Sequence, residues 1–357
     1  MCQTTFFGKF DVMVRLALTL AAFFIPGPVF WPYFAGVALL AIGAPIILKN
    51  EVRQTDGLDK LMPFGRLFYA VPMAVFAGEH FTVAQFIAPL VPSWIPAHLF
   101  WVYFVGVALV AAALSIVVKK YSQLAGTLLG IMIFLFVVLI HIPKVVGNPH
   151  DRIAWAVALR DLCFSGGAFA FAGAQSKPAS PAKTKPPLIT LARYFIAIAA
   201  LFFGIEHFLH PDFAPGVPLQ KTTPTWIPLH LFWAYLAGGV LLATGASLLI
   251  NKKSRLAATY LGLTILLIVL VIYLPILISI PSDIGSGLNY FVDTLLFSGT
   301  ALLLADALPK ENHPHASEHS TSDSGASPAN GAGPEQIRPE SLSKPEAKFY
   351  LSIPPRS

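Results

Sequence analysis

The sequence predicts an all-α integral membrane protein with about ten transmembrane helices, built as an N-terminal hairpin followed by two parallel-repeat four-helix bundles. Composition is the first observation: 55% of the residues are hydrophobic and 12% are charged, whereas soluble domains carry about 25% charged residues. The second is a series of apolar runs of about twenty residues, the length that spans a bilayer. The third is that the second half of the chain repeats the pattern of the first. The expected surroundings are therefore a lipid bilayer.

A ten-residue motif marks the repeat most clearly. Residues 94–103 are WIPAHLFWVY and residues 226–235 are WIPLHLFWAY, and a fainter copy, IPGPVFWPY, lies at 25–33. The spacing of 132 positions continues over about seventy residues, which predicts duplication of one unit. The residue pairs at this spacing are Trp94 and Trp226, His98 and His230, Tyr103 and Tyr235, Gly106 and Gly238, Ser115 and Ser247, Gly130 and Gly262, Pro143 and Pro275, and Asp161 and Asp293.

Two local changes interrupt this register. The second unit carries five extra residues between its first two spans, because Glu79 precedes Trp94 by 15 positions and Glu206 precedes Trp226 by 20. Further along, Phe-Ser-Gly at 164–166 matches Phe-Ser-Gly at 297–299, a shift of one residue.

The apolar runs and the segments between them set the predicted domains. The first run is weakened by Lys9, Asp11 and Arg15, so whether it spans the membrane fully stays open. The predicted spans are 6–25, 29–48, 65–81, 97–118, 122–143, 154–174, 191–208, 229–250, 256–280 and 289–308. The predicted domains are an N-terminal hairpin with a cytoplasmic loop at 1–62, a first four-helix unit at 63–175, a linker rich in Pro, Lys, Ser and Ala at 176–190, a second four-helix unit at 191–308, and a polar, disordered cytoplasmic tail at 309–357.

The placement of basic residues predicts the orientation. Four spans per unit is an even number, so both units enter the membrane in the same direction. If the termini lie on one side, that side holds 20 of the 24 Lys and Arg residues, and the other side keeps only Lys144, Arg152, Arg160 and Lys221. The positive-inside rule then predicts a multi-pass protein of the cell membrane with both termini cytoplasmic. Short basic clusters between apolar runs do not favour a nucleic-acid partner.

Ionisable side chains inside spans are costly and usually functional, and here they converge at one depth near the outer side. Each helix of a unit brings at least one such group. In the first unit the candidates are Glu79, His80, His98, His141 and Asp161, and in the second they are Glu206, His207, His230, Tyr273 and Asp293. Because Tyr273 replaces His141, the two expected pockets differ chemically.

Pockets of histidine and carboxylate suit several kinds of chemistry. They bind transition metals, relay protons or hydrogen-bond a quinone head group. Alternatively, a Glu–His hydrogen bond only joins packed helices. No zinc-type spacing such as His-Glu-x-x-His occurs, so no metal site is predicted. The two cysteines, Cys2 and Cys163, form no Cys-x-x-Cys motif, and there is no Gly-rich nucleotide loop or nucleophile elbow. Whether the protein is an enzyme stays open.

Together these motifs resemble the DoxX-like membrane protein family. They are an arginine near the start of the unit, Glu-His-Phe after a glycine at the end of the first helix, Trp-Ile-Pro-x-His before the second, and an aspartate early in the fourth. The resemblance covers about 65–174 and about 191–308, and it implies a four-helix bundle per unit. Some relatives are counted as subunits of quinone-linked sulfur oxidation systems. It implies as site residues Glu79, His80, His98 and Asp161, and in the second unit Glu206, His207, His230 and Asp293. The tandem arrangement and the hairpin at 14–48 depart from the usual single unit.

Three functions follow as hypotheses. The first, favoured by the resemblance, is a redox-associated membrane protein that binds a quinone or small ligand in the outer pockets. The second is a transporter or channel for a small solute, with the seam between the units as its path. The third is a structural or assembly subunit of a complex with another membrane protein. The ligand and the oligomeric state are not readable from the sequence.

Overall fold

A computed structural model describes residues 27–176, 187–217 and 220–310. Within these ranges nine helices are long and apolar enough to cross a membrane, and apart from one isolated β-bridge between Phe213 and Thr222 the regular structure is helical. The predicted all-α membrane fold is therefore confirmed. The predicted span at 6–25, most of the linker at 176–190 and nearly all of the tail at 309–357 lie outside the described residues.

The nine long helices are close to the predicted spans. They are α1 (Phe30–Asn50), α2 (Phe64–Thr82), α3 (His98–Val118), α4 (Ser122–Phe136), α5 (Arg152–Ala174), α6 (Pro187–Leu209), α7 (His230–Leu249), α8 (Ser254–Ile268) and α9 (Tyr290–Ala307). We call α2–α5 the first half and α6–α9 the second half. Helix α6 begins at Pro187, inside the predicted linker, because proline suits the first turn of a helix.

Helices α4 and α8 each continue through a widened turn. A π-helical segment, Val137–His141 or Val269–Tyr273, leads into a short helix, Ile142–Gly147 or Leu274–Ser279. The second residue of each short helix is a proline, which lacks an N–H and crowds the carbonyl of the preceding turn. The widened turn relieves this conflict, and it sets the direction of the residue at its end, His141 in α4 and Tyr273 in α8.

The eight helices of the two halves form a closed ring. Consecutive helices pack side by side from α2 to α9, α9 returns to α2, and α5 meets α9 across the ring, while α1 packs outside against α2. The first helix of each half therefore lies against the last helix of the other half. Glycines make these crossings close: a Cβ on Gly299 would lie 2.6 Å from backbone atoms of α2, and one on Gly166 would lie 3.2 Å from the carbonyl oxygen of Ala192 in α6.

One end of the ring, which we call the basic end, is held by arginines that bind the last carbonyls of neighbouring helices. Arg66 donates to Val117 O (3.3 Å), Arg193 to Leu248 O and Leu249 O, and Arg255 to Ala305 O and Leu308 O (both 2.8 Å). The last carbonyls of a helix lack a partner within it, so a cation there supplies a donor and opposes the negative end of the helix dipole; Leu248 O also accepts the N–H of Asn251 at 3.2 Å. Two acidic residues complete the layer: Glu51 pairs with Arg66, and Asp59 pairs with Arg255.

Candidate functional site

The ten predicted site residues lie at the opposite end of the ring, which we call the polar end. They fall in the last turns of α2 and α6, in the widened turns that follow α4 and α8, and in the first three turns of α3, α5, α7 and α9. Helix α1 reaches the same end, where Tyr33 Oη donates to Pro281 O at 2.8 Å. The structure therefore brings all ten predicted residues to one end of the ring.

A chain of charged hydrogen bonds crosses the polar end from α4 to α9. His141 Nε2–H donates to Asp161 Oδ2 at 2.8 Å. Arg160, which precedes Asp161 in sequence, is the next member of the chain of bonds. It donates from Nε to Asp161 Oδ1 at 3.1 Å and from Nη1 to Asp293 Oδ2 at 2.8 Å. The four side chains are 11–19% exposed. We call this set the Arg160 network, because one guanidinium joins an aspartate of each half.

Glu79 faces the same seam between the halves but has no cation of its own. The residue is 7% exposed, and Oε1 finds no hydrogen-bond partner among the described residues. Asn289, before α9, is its hydrogen-bonding neighbour, and Asp293 is close enough to act on it electrostatically. The Oδ1 atom of Asn289 is also buried without a partner in the described part of the chain. Two oxygen acceptors therefore lie together unsatisfied beside the Arg160 network.

Glu206, at the same place in the second half, forms an ion pair. Arg152 Nη1 donates to Glu206 Oε2 at 2.9 Å, and the side chains are 20% and 8% exposed. The guanidinium also lies 4.4 Å from the centre of the Phe213 ring, a cation–π contact. Position 284, which matches Arg152 at the 132-residue spacing, is isoleucine. The sequence itself thus explains why Glu79 has no equivalent partner.

His80 and His207 make the same hydrogen bond through Nδ1 but differ in the partner of Nε2. Each donates Nδ1–H to the carbonyl oxygen four residues earlier, that of Phe76 or Phe203. Because a carbonyl only accepts, Nε2 of each neutral ring carries a lone pair. For His207 this atom accepts the N–H of Gly216 at 2.8 Å. For His80 no described residue donates to Nε2, and the side chain is only partly buried.

The partner of His207 belongs to the connection between α6 and α7, which we call the inserted loop (residues 210–217 and 220–229), because the five extra residues fall within it. Residues 214–217 are buried among the helices, and the backbone is tied across by Ala214 N–H to Lys221 O at 2.8 Å. Tyr273 Oη donates to Pro215 O at 2.7 Å. Non-helical backbone at this depth is tolerated because protein groups satisfy it.

Tyr290 binds the backbone of the second part of the inserted loop, at residues 220 and 221. Its hydroxyl oxygen accepts the N–H groups of Gln220 (3.2 Å) and Lys221 (3.1 Å), and the Lys221 ammonium lies 5.8 Å from the centre of the same ring. Partial burial there lowers the pKa of Lys221 through desolvation, which the nearby charge of Asp283 opposes.

His98 and His230 stand apart from the other eight predicted residues. They are the first residues of α3 and α7; His98 is half-buried and His230 is exposed. Within the described ranges, neither ring makes a hydrogen bond to another predicted site residue. The shared Trp-Ile-Pro-x-His motif therefore marks the start of a helix, whereas the buried contacts are made by the other histidines.

Three polar-end residues, Arg152, Arg160 and Asn289, were missed as site residues in the sequence. Arg160 had a detectable signal, since a cation inside an apolar span needs a buried anion, and Asp161 is its neighbour in sequence. Position 292, which matches Arg160 at the 132-residue spacing, is valine, so one arginine has to serve both aspartates. Among the described residues, no three His, Cys, Asp or Glu side chains are grouped in a way that would hold a metal ion.

Comparison of the chain with protein-family models, with curated proteins and with solved structures found no match.

Proposed function

We propose that the protein is a redox-associated, DoxX-like membrane protein, formed by duplication of one four-helix unit, and that its first half binds the head group of a quinol. The observation that carries this proposal is the His141–Asp161 pair at 2.8 Å, which only the first half has, because Tyr273 replaces the histidine in the second. A histidine whose Nε2–H is held by a carboxylate keeps a lone pair on Nδ1, which is able to accept a hydrogen bond or a proton from a ligand.

Each polar residue of the first half would have its own role in binding the head group. The lone pair on Nε2 of His80 accepts a hydrogen bond from a quinol hydroxyl. Asp161 orients His141 by accepting its Nε2–H, and Arg160 in turn holds Asp161 at the contact between the two halves. Oxidation of a bound quinol would release two electrons and two protons, so the partner that this proposal implies is another membrane subunit with a redox cofactor that accepts the electrons.

The direction of the buried polar contacts supports head-group binding over transport through the seam. The Arg160 network runs across one end of the bundle and not along its axis. Between it and the basic end, the hydroxyls of Tyr69, Ser165 and Ser298 donate to the backbone carbonyls of Phe164, Gly130 and Gly262 at 2.6–2.8 Å. Hydroxyls that are engaged in this way join packed helices, whereas Thr300 Oγ1, also buried between α5 and α9, has no partner among the described residues.

Quinone extraction from the purified protein tests the proposal. We expect about one quinone per chain in the wild type and loss of it in His141→Tyr, which places the second half's residue in the first. His230→Ala, at an exposed histidine, is the control and should retain the quinone. Absence of quinone from the wild type, or equal retention by His141→Tyr, would contradict the proposal.

The orientation in the membrane is part of the same proposal. We place the basic end in the cytoplasm, because it carries the Lys-Lys turns at 119–120 and 252–253. In a chain with Cys2→Ser and Cys163→Ala, a membrane-impermeant maleimide applied to intact cells should label Asn148→Cys and leave Lys120→Cys unlabelled; both positions are exposed. The reverse pattern would place the polar end in the cytoplasm.

A further inference from the structure

We propose that the inserted loop permanently fills the pocket of the second half, and that its Pro215–Gly216 peptide group occupies the place that a ligand takes beside His80 in the first half. The closure of the second pocket stands without any ligand being known. The identity of the ligand rests on the function proposed above.

The occupant is a single peptide group with a donor and an acceptor. Its N–H, from Gly216, donates to His207 Nε2 at 2.8 Å, and its carbonyl oxygen, from Pro215, accepts from Tyr273 Oη at 2.7 Å. Both residues are buried. One small planar amide therefore bridges α6 and the widened turn after α8, and it satisfies the two polar side chains that line this pocket.

The walls of the two pockets correspond closely. His80 and His207 are both held by Nδ1–H bonds to the preceding turn. His141 and Tyr273 both end a five-residue π-helical turn. The next helix approaches each histidine at a glycine: a Cβ on Gly106 would lie 3.0 Å from the Cβ of His80, and the corresponding distance for Gly238 and His207 is 2.9 Å.

The connection in the first half does not supply such an occupant. It is shorter and folds into a helical turn, Ala84–Ile87, and a 3₁₀ turn, Ala88–Leu90. Its buried residues, Ala84 and Ala88, pack against Val102 of α3. In the described part of the chain it makes no hydrogen bond to the rings of His80 or His141. The first pocket therefore keeps the polar groups that the loop satisfies in the second.

The amide also indicates the chemistry that the first pocket accepts. A fitting head group presents a hydrogen-bond donor to Nε2 of His80, because that nitrogen carries a lone pair; His141, whose Nε2–H is given to Asp161, offers only a second lone pair on Nδ1. A quinol hydroxyl meets this requirement, because its hydrogen donates. A quinone has only acceptor oxygens, so the reduced form should bind the first pocket more tightly.

Gly216 provides the means to open the second pocket. Its φ is +107°, a conformation that a β-branched residue adopts only under strain, and a Cβ there would lie 3.2 Å from Thr294 Cγ2. Gly216→Val should move the amide away from His207. Tyr273→Phe is a milder variant that removes only the hydroxyl bonded to Pro215 O. Gly239→Val is the control, because a Cβ at Gly239 meets nothing within 4 Å.

Diethyl pyrocarbonate, which acylates the unprotonated nitrogen of histidine, reports on the two pockets when the modified peptides are quantified by mass spectrometry. In the wild type we expect His207 to react at least about tenfold more slowly than His80. The two variants that disturb the loop should speed the reaction of His207, and Gly239→Val should not. A short-tailed benzoquinol should slow the reaction of His80 more than the matching quinone does.

Each result has a separate meaning. If His207 reacts as fast as His80 in the wild type, or stays equally protected in both Gly216→Val and Tyr273→Phe, the loop does not close the pocket. If the loop results hold but benzoquinol leaves His80 as reactive as before, the closure stands and the quinol assignment is overturned. Equal protection of His80 by quinol and quinone would overturn the donor requirement alone.

Discussion

Arg160→Met is the most informative perturbation of the polar end, because this one guanidinium joins the two halves. The substitution removes bonds of 3.1 Å to Asp161 and 2.8 Å to Asp293 and leaves two carboxylates without their cation. Breaking a buried ion pair by removing one partner costs about 3–5 kcal/mol. Since the Arg160 side chain is 19% exposed, we expect a loss of about 2–4 kcal/mol, or a fall in Tm of about 5–10 °C.

A double-mutant cycle tests whether the loss of stability comes from the bond between Arg160 and Asp293. Asp293→Asn combined with Arg160→Met should recover about 1–3 kcal/mol relative to the sum of the single variants, because the carboxylate left unpaired is then neutral. Lys120→Met, which removes an exposed cation, is the control for loss of charge. Thermal unfolding in detergent, followed by light scattering, measures the four proteins of the cycle and the control variant. A loss of less than about 1 kcal/mol in Arg160→Met, with no recovery in the double variant, would refute the bridging role.

The remaining predictions concern the seam and the close crossing of α2 and α9. Glu79→Gln should leave the unfolding free energy within about 1 kcal/mol of the wild type or raise it, because Oε1 of Glu79 is unpaired. Glu206→Gln should lower the unfolding free energy by about 1–3 kcal/mol, because it weakens the pair with Arg152. Equal effects of the two substitutions would show that the two glutamates do not differ in pairing. Gly299→Ala should destabilise by about 1–3 kcal/mol, because the new Cβ would lie 2.6 Å from the backbone of α2. Gly239→Ala should change stability by less than about 1 kcal/mol, and a similar loss in both would show that the crossing is looser than described.

The spans could be predicted because their signal is local. A bilayer requires about twenty apolar residues in succession, and the nine described helices begin and end near the limits that hydropathy sets. The orientation of Glu79 and His80 needed the structure. Adjacent residues on a helix point about 100° apart, so one had to face the seam and the other its own half. In the structure Glu79 faces α9, whereas the Cβ of His80 lies against Gly106 of α3.

The partners of the helices could not be predicted in the same way. Lipid and helix interfaces are similarly apolar, so hydropathy does not say which helix lies beside which. Glycines at close crossings carry that information, as Gly166 and Gly299 do. Both belong to the Phe-Ser-Gly triplets where the register shifts by one residue. The inserted loop was visible as five extra residues, but the burial of Pro215 and Gly216 follows only from packing.

The two halves differ mainly at the polar end. This difference is the reason for proposing that a functional site lies there and not at the basic end. At the basic end, Arg66 and Arg193 bind helix carbonyls in the same way in both halves. Between the two ends of the ring, Ser165 and Ser298 donate to matching glycine carbonyls at 2.8 Å. A duplicated scaffold would keep such contacts because both copies need them to pack.

At the polar end the correspondence ends. One half has His141 and an unpaired Glu79, and the other has Tyr273, a paired Glu206 and a loop that satisfies His207. Leaving a buried carboxylate oxygen unpaired is costly, and the second half shows that this fold is able to pair it. Stability alone would favour two closed pockets. The ligand proposed for the first half would account for this difference between the halves.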